Sequence, residues 1–378
     1  MSDFRALDRA GFDPALAEYT GILGVDVAPA LLALSARIES RKKDFEPENR
    51  ATNRVRSERV ALQKTVHGAS LAAARVFRLA RRGGRDKDHV MDADTTPHPN
   101  AQMHEYWNGL AGEKWVRLEH RLDESLQPFA DGLFAAARLH SGERVLDIGC
   151  GCGATTLESA RRVGPEGRAL GVDISAIMLT RARERARELG LGNATFEVVD
   201  AQSDPLPAGE FDVVISRFGV MFFAHPEAAF ANLLSALRPG GRLAFVCWQK
   251  IDANPWMFLP ALAAMQHVAI QRPTDPHAPG PFAFADADRV RGLMERAGWR
   301  DVTTSRFEIP FAAGGGGSLD EAVDFMMEMG PAAQALRESD AATRARVREA
   351  IYETMKPFER NGGVLMDAAA WIFSARRA

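Results

Sequence analysis

Val145-Leu146-Asp147-Ile148-Gly149-Cys150-Gly151-Cys152-Gly153-Ala154-Thr155-Thr156 is the stretch that decides the fold. Apolar residues at 145, 146 and 148 read as a buried strand. Glycines at 149, 151 and 153 follow, and then a helix former. The pattern is a strand, a tight turn and a helix N-terminus. Glycine turns sharply and lets a ligand approach the backbone, because no Cβ intervenes. The helix start presents unpaired N–H groups to an anionic group. Gly149-x-Gly151-x-x-Ala154 also fits the dinucleotide fingerprint, with Ala in the third place. The loop alone therefore leaves the cofactor class open.

The downstream strands narrow it. Leu170-Gly171-Val172-Asp173-Ile174-Ser175 reads as a second strand ending in an acid, 20 residues after Gly153. Either cofactor class places a carboxylate on ribose hydroxyls there. Phe196-Glu197-Val198-Val199-Asp200-Ala201 is a third strand that again ends in an acid. Phe211-Asp212-Val213-Val214-Ile215-Ser216-Arg217 is a fourth. Leu237-Arg238-Pro239-Gly240-Gly241-Arg242-Leu243 reads as a helix stop, with a fifth strand from Leu243 to Trp248. Helices are expected near 154–163, 175–189 and 226–238. Ser175 suits an N-cap and Gly190 the C′ position. Alternation of this kind predicts a doubly wound, mostly parallel sheet with ligands at the carboxyl ends of the strands.

This ordered set resembles the class I S-adenosylmethionine-dependent methyltransferases. Among them it is similar to the small-molecule enzymes related to the ubiquinone and menaquinone C-methyltransferases. Ser216-Arg217-Phe218-Gly219-Val220-Met221-Phe222-Phe223 fits one bacterial branch of that group. A nicotinamide enzyme has no reason to combine Asp147, Asp200 and the Leu237–Gly241 turn. The resemblance covers about residues 100 to 310 and the final strand. It implies a Rossmann-like, seven-stranded sheet whose last strand is antiparallel, with a helical lid and an N-terminal helical extension. Ala368 to Ala375 is assigned to that last strand.

The resemblance also implies the cofactor residues. Gly149, Cys150, Gly151 and Gly153 would line the methionyl part and ribose of S-adenosylmethionine. Asp147 would orient the loop or reach the amino group. Asp173, with Ile174 beside it, would accept both ribose hydroxyls, since a carboxylate carries paired acceptors. Asp200 would accept from the adenine amino group, with the Ala201 N–H on the ring. Ser216 and Arg217 would offer backbone carbonyls to the methionyl ammonium. Each acid has a plainer reading as a turn or cap residue.

Composition sets outer limits. The apolar fraction of 46% supports a sizeable core, and the net charge of −3 gives no global case for nucleic acid. The longest apolar runs are strand-length, which argues against a membrane span. No apolar leader follows Met1, and the three cysteines, Cys150, Cys152 and Cys247, fit a reducing cytoplasm. Cys150-Gly-Cys152 is not metal spacing, so no metal is expected.

Charge is uneven along the chain. Residues 1–90 carry 17 Lys/Arg against 12 Asp/Glu, and the remaining residues carry 30 against 38. Residues 50–87 hold eleven basic side chains and two acids. Two readings stand for this run: a basic amphipathic arm for weak binding to a membrane or nucleic-acid surface, or a solvated extension, partly helical or disordered. Met91 as a natural start is a further expectation. The domain reading is therefore a basic extension over 1–92 and a methyltransferase domain over 93–378. Within the latter, the cofactor core is 141–248, a lid or acceptor segment is 249–284, and a helical insertion is 312–364. The four glycines at 314–317 read as a loop, and Ser318 with Glu321 as a capping box.

The acceptor side is less legible. Ala101 to Leu122 reads as one helix, and helices before the first strand cap the cofactor pocket in this family. Tyr106, Trp107, Phe222, Phe223 and Trp256 are the expected pocket residues, although core packing explains them equally well. His225 could act as a general base for an oxygen nucleophile, or simply begin the helix at Pro226. No Asn/Asp-Pro-Pro-aromatic run follows strand four, which argues against amino methylation of nucleic acid. The expected activity is methyl transfer to a small, largely apolar acceptor on carbon or oxygen, without nucleic-acid partners or stable membrane insertion. The alternatives are a cofactor-binding, non-catalytic regulatory module with a basic partner arm, and a nicotinamide-dependent oxidoreductase.

Overall fold

The computed structural model describes residues 100–270, 275–360 and 363–378. The expected N-terminal extension and its basic run lie outside the described residues. The described chain divides into two compact units.

The larger unit holds residues 100–250, 275–309 and 369–378. It opens with α1 (Ala101–Asn108), α2 (Leu110–Arg117) and α3 (Glu119–Ala137). The single helix expected over 101–122 is thus broken at Gly109, whose extended backbone (φ −102°, ψ −150°) ends the first segment. Leu118 forms the second break, and α3 then runs on well beyond the expected end. Leu122, Leu126, Phe129 and Leu133 recur at helical spacing along α3 and are all buried.

The core alternates as its hydrophobic pattern requires. The strands are β1 (Arg144–Ile148), β2 (Arg168–Asp173), β3 (Ala194–Val198), β4 (Phe211–Arg217) and β5 (Leu237–Trp248). Between them run α4 (Ala154–Val163), α5 (Ala176–Glu188) and α6 (Pro226–Ala236). The Ser175 hydroxyl caps α5 by accepting the Met178 N–H at 3.3 Å. At its other end the N–H of Leu191 bonds Ala186 O and that of Gly190 bonds Arg187 O, a Schellman closure made by a glycine at φ +65°. The fifth strand starts at Leu237 rather than Leu243. Leu237 pairs with Phe211, and the register then shifts before Val213 meets Arg242. The Pro-Gly-Gly turn is therefore a bulge in the strand.

After β5 come α8 (Ala287–Arg296), β6 (Arg300–Ala312) and β8 (Gly363–Arg376). Sheet order is β3-β2-β1-β4-β5-β8-β6. β1 to β5 pair in parallel, and β8 pairs antiparallel with β5 from Arg242↔Arg376 to Trp248↔Ala370. The expected antiparallel return strand is in place. The strand order reverses between β1 and β4, and in sheets of this kind ligands bind at the carboxyl ends beside such a switch point.

The smaller unit holds residues 251–270, 310–360 and 363–368. It contains α7 (Pro255–Met265), α9 (Leu319–Met329), α10 (Ala333–Arg337) and α11 (Ala341–Met355). A two-residue strand, β7 (Glu359–Arg360), pairs with the start of β8. Within the expected helical insertion, α9 ends at Gly330, which caps it in an extended conformation. Ser318 and Glu321 form the expected reciprocal capping box.

Candidate functional site

The site is built where β1, β2, β3 and β4 end. Register aligns Ile148 with Val172 and Asp147 with Ile215. The glycine loop, Asp173 and Arg217 thus leave the sheet along one edge.

The three loop glycines have different physical reasons. All have positive φ: +63°, +55° and +83° at 149, 151 and 153. A Cβ on Gly149 would sit 2.7 Å from the Gly219 Cα, and one on Gly153 would sit 2.9 Å from the Ala182 Cβ. Both glycines are required by packing, Gly149 against the Gly219 backbone and Gly153 against the Ala182 and Phe196 side chains. Gly151 is different: its Cβ would meet Trp115 Nε1 at 3.5 Å and Met178 Sδ at 3.7 Å, both ordinary contacts. The loop is therefore shaped by its neighbours, with Gly151 at the more open point. Cys150 and Cys152 are buried within it, and desolvation pushes the Cys152 thiol up to about 12.

Asp173 accepts the Gly151 N–H at 2.9 Å on one oxygen and the Ser175 N–H at 2.8 Å on the other. It ties the loop to the α5 cap. Each oxygen keeps a further lone pair, which suits a vicinal diol. Burial raises its pKa, against the lowering by these N–H groups. Asp147 is fully buried and accepts the Thr155 and Thr156 hydroxyls, both at 2.6 Å, on a single oxygen. Its other oxygen has no hydrogen-bond partner among the described residues. Desolvation raises its pKa from 3.8 to about 6, against the two hydroxyls and the Arg217 charge.

Asp200 forms a turn. Its oxygen accepts the Gln202 N–H at 3.0 Å, its own N–H bonds the Asp204 carboxylate at 2.8 Å, and the buried Ala201 carbonyl accepts from Asn232 at 2.9 Å. The Ser216 hydroxyl donates to Ile148 O at 2.8 Å and accepts the N–H groups of Gly219 and Val220. It locks the end of β4 to the end of β1. Phe218 follows at φ +63°, strained for an aromatic residue, and stacks on Trp248 at 4.1 Å between ring centroids.

The helices before β1 reach this edge. Ser175 donates to Trp107 O at 2.7 Å, and Asn108 donates to Ile174 O at 2.9 Å. Trp107 meets Tyr106, Trp115 and Phe222 edge-to-face at 5.0, 5.7 and 5.1 Å. Tyr106, Trp107 and Phe222 are thus brought together. Phe223 turns away and packs edge-to-face on Phe230 in the core. Trp256 belongs to the smaller unit, where it packs at 4.5 Å from Phe311 and its indole N–H bonds Asn254. His225 is an exposed residue at the start of α6 whose N–H bonds Gln202 Oε1 at 2.7 Å. Among the described residues no His/Cys/Asp/Glu group could hold a metal ion. Sequence reading missed Thr155, Thr156, Gln202, Asn232 and an acid–arginine network on α3 and α5. The only available signal for the last was Glu119 and Asp123 spaced one helical turn apart.

A family profile described as a methyltransferase domain matches residues 139–268. The chain is 33% identical over 175 residues to the ubiquinone/menaquinone biosynthesis C-methyltransferase of Stutzerimonas stutzeri, covering 43% of this chain and 67% of that protein. The chain belongs to the S-adenosylmethionine-dependent methyltransferases. This decides against the nicotinamide reading of the glycine loop. The chain is also 41% identical over 120 residues to aklanonic acid methyltransferase of Streptomyces sp. strain C5, covering 32% of this chain and 54% of that protein. It spans about half the length of most of the curated relatives it matches. Among solved structures, Haemonchus contortus phosphoethanolamine N-methyltransferase 2 in complex with S-adenosyl-L-methionine gives a TM-score of 0.45 at 14% identity, over 72% of this chain and 59% of that one. No helix among the described residues is long and apolar enough to cross a membrane.

Proposed function

We propose that this chain transfers a methyl group from S-adenosylmethionine to a small, largely apolar acceptor, on carbon or oxygen. The observation that carries this reading is Asp173: a buried carboxylate at the end of β2 that holds the glycine loop and keeps lone pairs for a diol. The chemistry of the donor set fits the cofactor. Asp173 and Ile174 would hold the ribose, and Asp200 and Ala201 the adenine. Gly149, Cys150, Gly151 and Gly153 would lie along the methionyl part, with Asp147 fixing the loop from below. The carbonyls of Ser216 and Arg217 would accept from the ammonium.

When bound, S-adenosylmethionine supplies an electrophilic sulfonium methyl and a neutral thioether leaving group. Little acid catalysis is needed, so the chain's own residues act by positioning and by excluding water. Trp107, Trp115 and Phe222 form an aromatic wall beside the loop that suits both tasks. An apolar wall and an acidic chain beyond residue 90 favour an apolar acceptor over a polyanion. Two relatives are named for small-molecule methylation, which supports the same class. His225 would serve as base only for an oxygen acceptor, from its exposed place at the start of α6.

Incubation with methyl-labelled cofactor and a panel of quinols, phenols, amines and cell extract tests the proposal. Label should appear in a small organic-extractable product. Label in protein or nucleic acid would overturn the acceptor class. Cofactor binding without transfer to any fraction would favour the non-catalytic module.

A further inference from the structure

Five charged side chains near the carboxyl edge of the sheet form one network. Glu119 and Asp123 lie one turn apart on α3 and face Arg181 and Arg185, one turn apart on α5. Arg181 bonds Glu119 at 2.7 Å and Arg185 bonds Asp123 at 2.7 Å. Arg185 also donates to the Cys152 carbonyl in the glycine loop at 3.0 Å. The second oxygen of Asp123 meets Arg217, the last residue of β4, at 3.3 Å. One carboxylate is therefore tied to both loops that flank the methionyl end of the site.

Arg217 is the under-used member. Its side chain is 10% exposed, yet among the described residues the 3.3 Å contact with Asp123 is the single polar contact of its five-donor guanidinium. Arg242, by contrast, makes four hydrogen bonds with its guanidinium, to both oxygens of Glu143 and the carbonyls of Ala137 and Arg138. A mostly buried arginine side chain whose remaining donors are not buried has donors to spare, and these are matched by a bidentate anion. Arg217 stands beside the glycine loop in register: Ile215 pairs with Asp147, so Arg217 lies level with Gly149. Its charge is felt at Asp147, where it opposes the effect of burial.

We infer that the Arg217 side chain binds the α-carboxylate of the cofactor's amino-acid end, and that Asp123 is the positioning residue that aims it. The inference rests on the cofactor reading above and deepens it. It gives the zwitterion two complementary contacts at one residue: the Arg217 carbonyl for the ammonium and its guanidinium for the carboxylate. Asp123 holds the guanidinium by one oxygen and, through Arg185, holds the glycine loop by the other.

The test uses two probes against the full chain. S-adenosylhomocysteine carries the amino-acid end, and 5′-methylthioadenosine lacks it. Arg217→Gln leaves the backbone carbonyl in place and should weaken S-adenosylhomocysteine about 10-fold or more, while leaving 5′-methylthioadenosine within about twofold. Arg217→Lys should be intermediate, because charge remains without the fork. Asp123→Asn should weaken the first probe alone, by a smaller factor. Equal losses of both probes in the variants would show a merely structural role and overturn the inference. Unchanged binding of S-adenosylhomocysteine by Arg217→Gln would also overturn it. Failure of the unaltered chain to bind either probe would overturn the cofactor reading itself, and this inference with it. Loss of folding by Arg217→Gln, judged by its melting curve, passes the decision to Arg217→Lys and Asp123→Asn.

Discussion

Replacing Asp147 by Asn should make the protein more stable at alkaline pH and change little at acid pH. The Asp147 carboxylate lies in the core with two hydroxyls on one oxygen and no partner among the described residues for the other. Desolvation raises its pKa from 3.8 to about 6. The folded state thus holds this proton more tightly than the unfolded state. The stability it confers is present below pH 4 and is lost as pH rises through 6. A shift of about two units corresponds to about 3 kcal/mol at 1.36 kcal/mol per unit. Asn keeps an acceptor for Thr155 and Thr156 but cannot ionise. Urea unfolding of both proteins from pH 4 to pH 8 should therefore show the variant gaining about 3 kcal/mol relative to the original across that range. Asp173 also has a raised pKa, and its charge is one of the causes that raise Asp147, so the variant also eases the ionisation of Asp173 and the gain keeps the same sign. A difference that stays flat with pH, or falls, would refute the reasoning.

Two further outcomes follow from the loop. Gly149→Ala should destabilise by about 2 kcal/mol or more in the same unfolding assay, because its Cβ would meet the Gly219 Cα at 2.7 Å in a left-handed conformation; a neutral effect would mean the loop is looser than described. The three buried cysteines should resist a thiol reagent at pH 8 in the folded protein and react in urea, since burial pushes the thiols up, Cys152 to about 12. Rapid labelling of Cys150 or Cys152 in the folded state would contradict the packing of the loop.

The strand–loop–helix over 145–163 was legible because local rules agree there. The hydrophobic run, the glycines and the helix former point to one structure. The Ser175 cap, the Gly190 closure and the antiparallel strand at 368–375 were legible for the same reason. The break at Gly109 was not, because the apolar spacing of 101–122 continues through it while the backbone does not. The early start of β5 was hidden because Pro239-Gly240-Gly241 carries a strong turn signal, which the sheet accommodates as a bulge. At the candidate site, the acids at the strand ends were visible by position. What they bond to was not: Asp147 on Thr155 and Thr156, or Asp123 joining Arg185 to Arg217, depends on contacts between elements far apart in sequence. Phe223 and Trp256 show the same limit, since their packing on Phe230 and Phe311 is not visible in the spacing of aromatic residues.

Calorimetric titration of S-adenosylhomocysteine into the full chain, repeated with Asp173→Asn, tests the central claim most directly. Binding should be measurable and should weaken about 10-fold or more in the variant, as expected for charge-assisted hydrogen bonds of about 1.5–3 kcal/mol. Tight binding of NADH with none of S-adenosylhomocysteine, or equal affinity of both proteins for S-adenosylhomocysteine, would contradict the account.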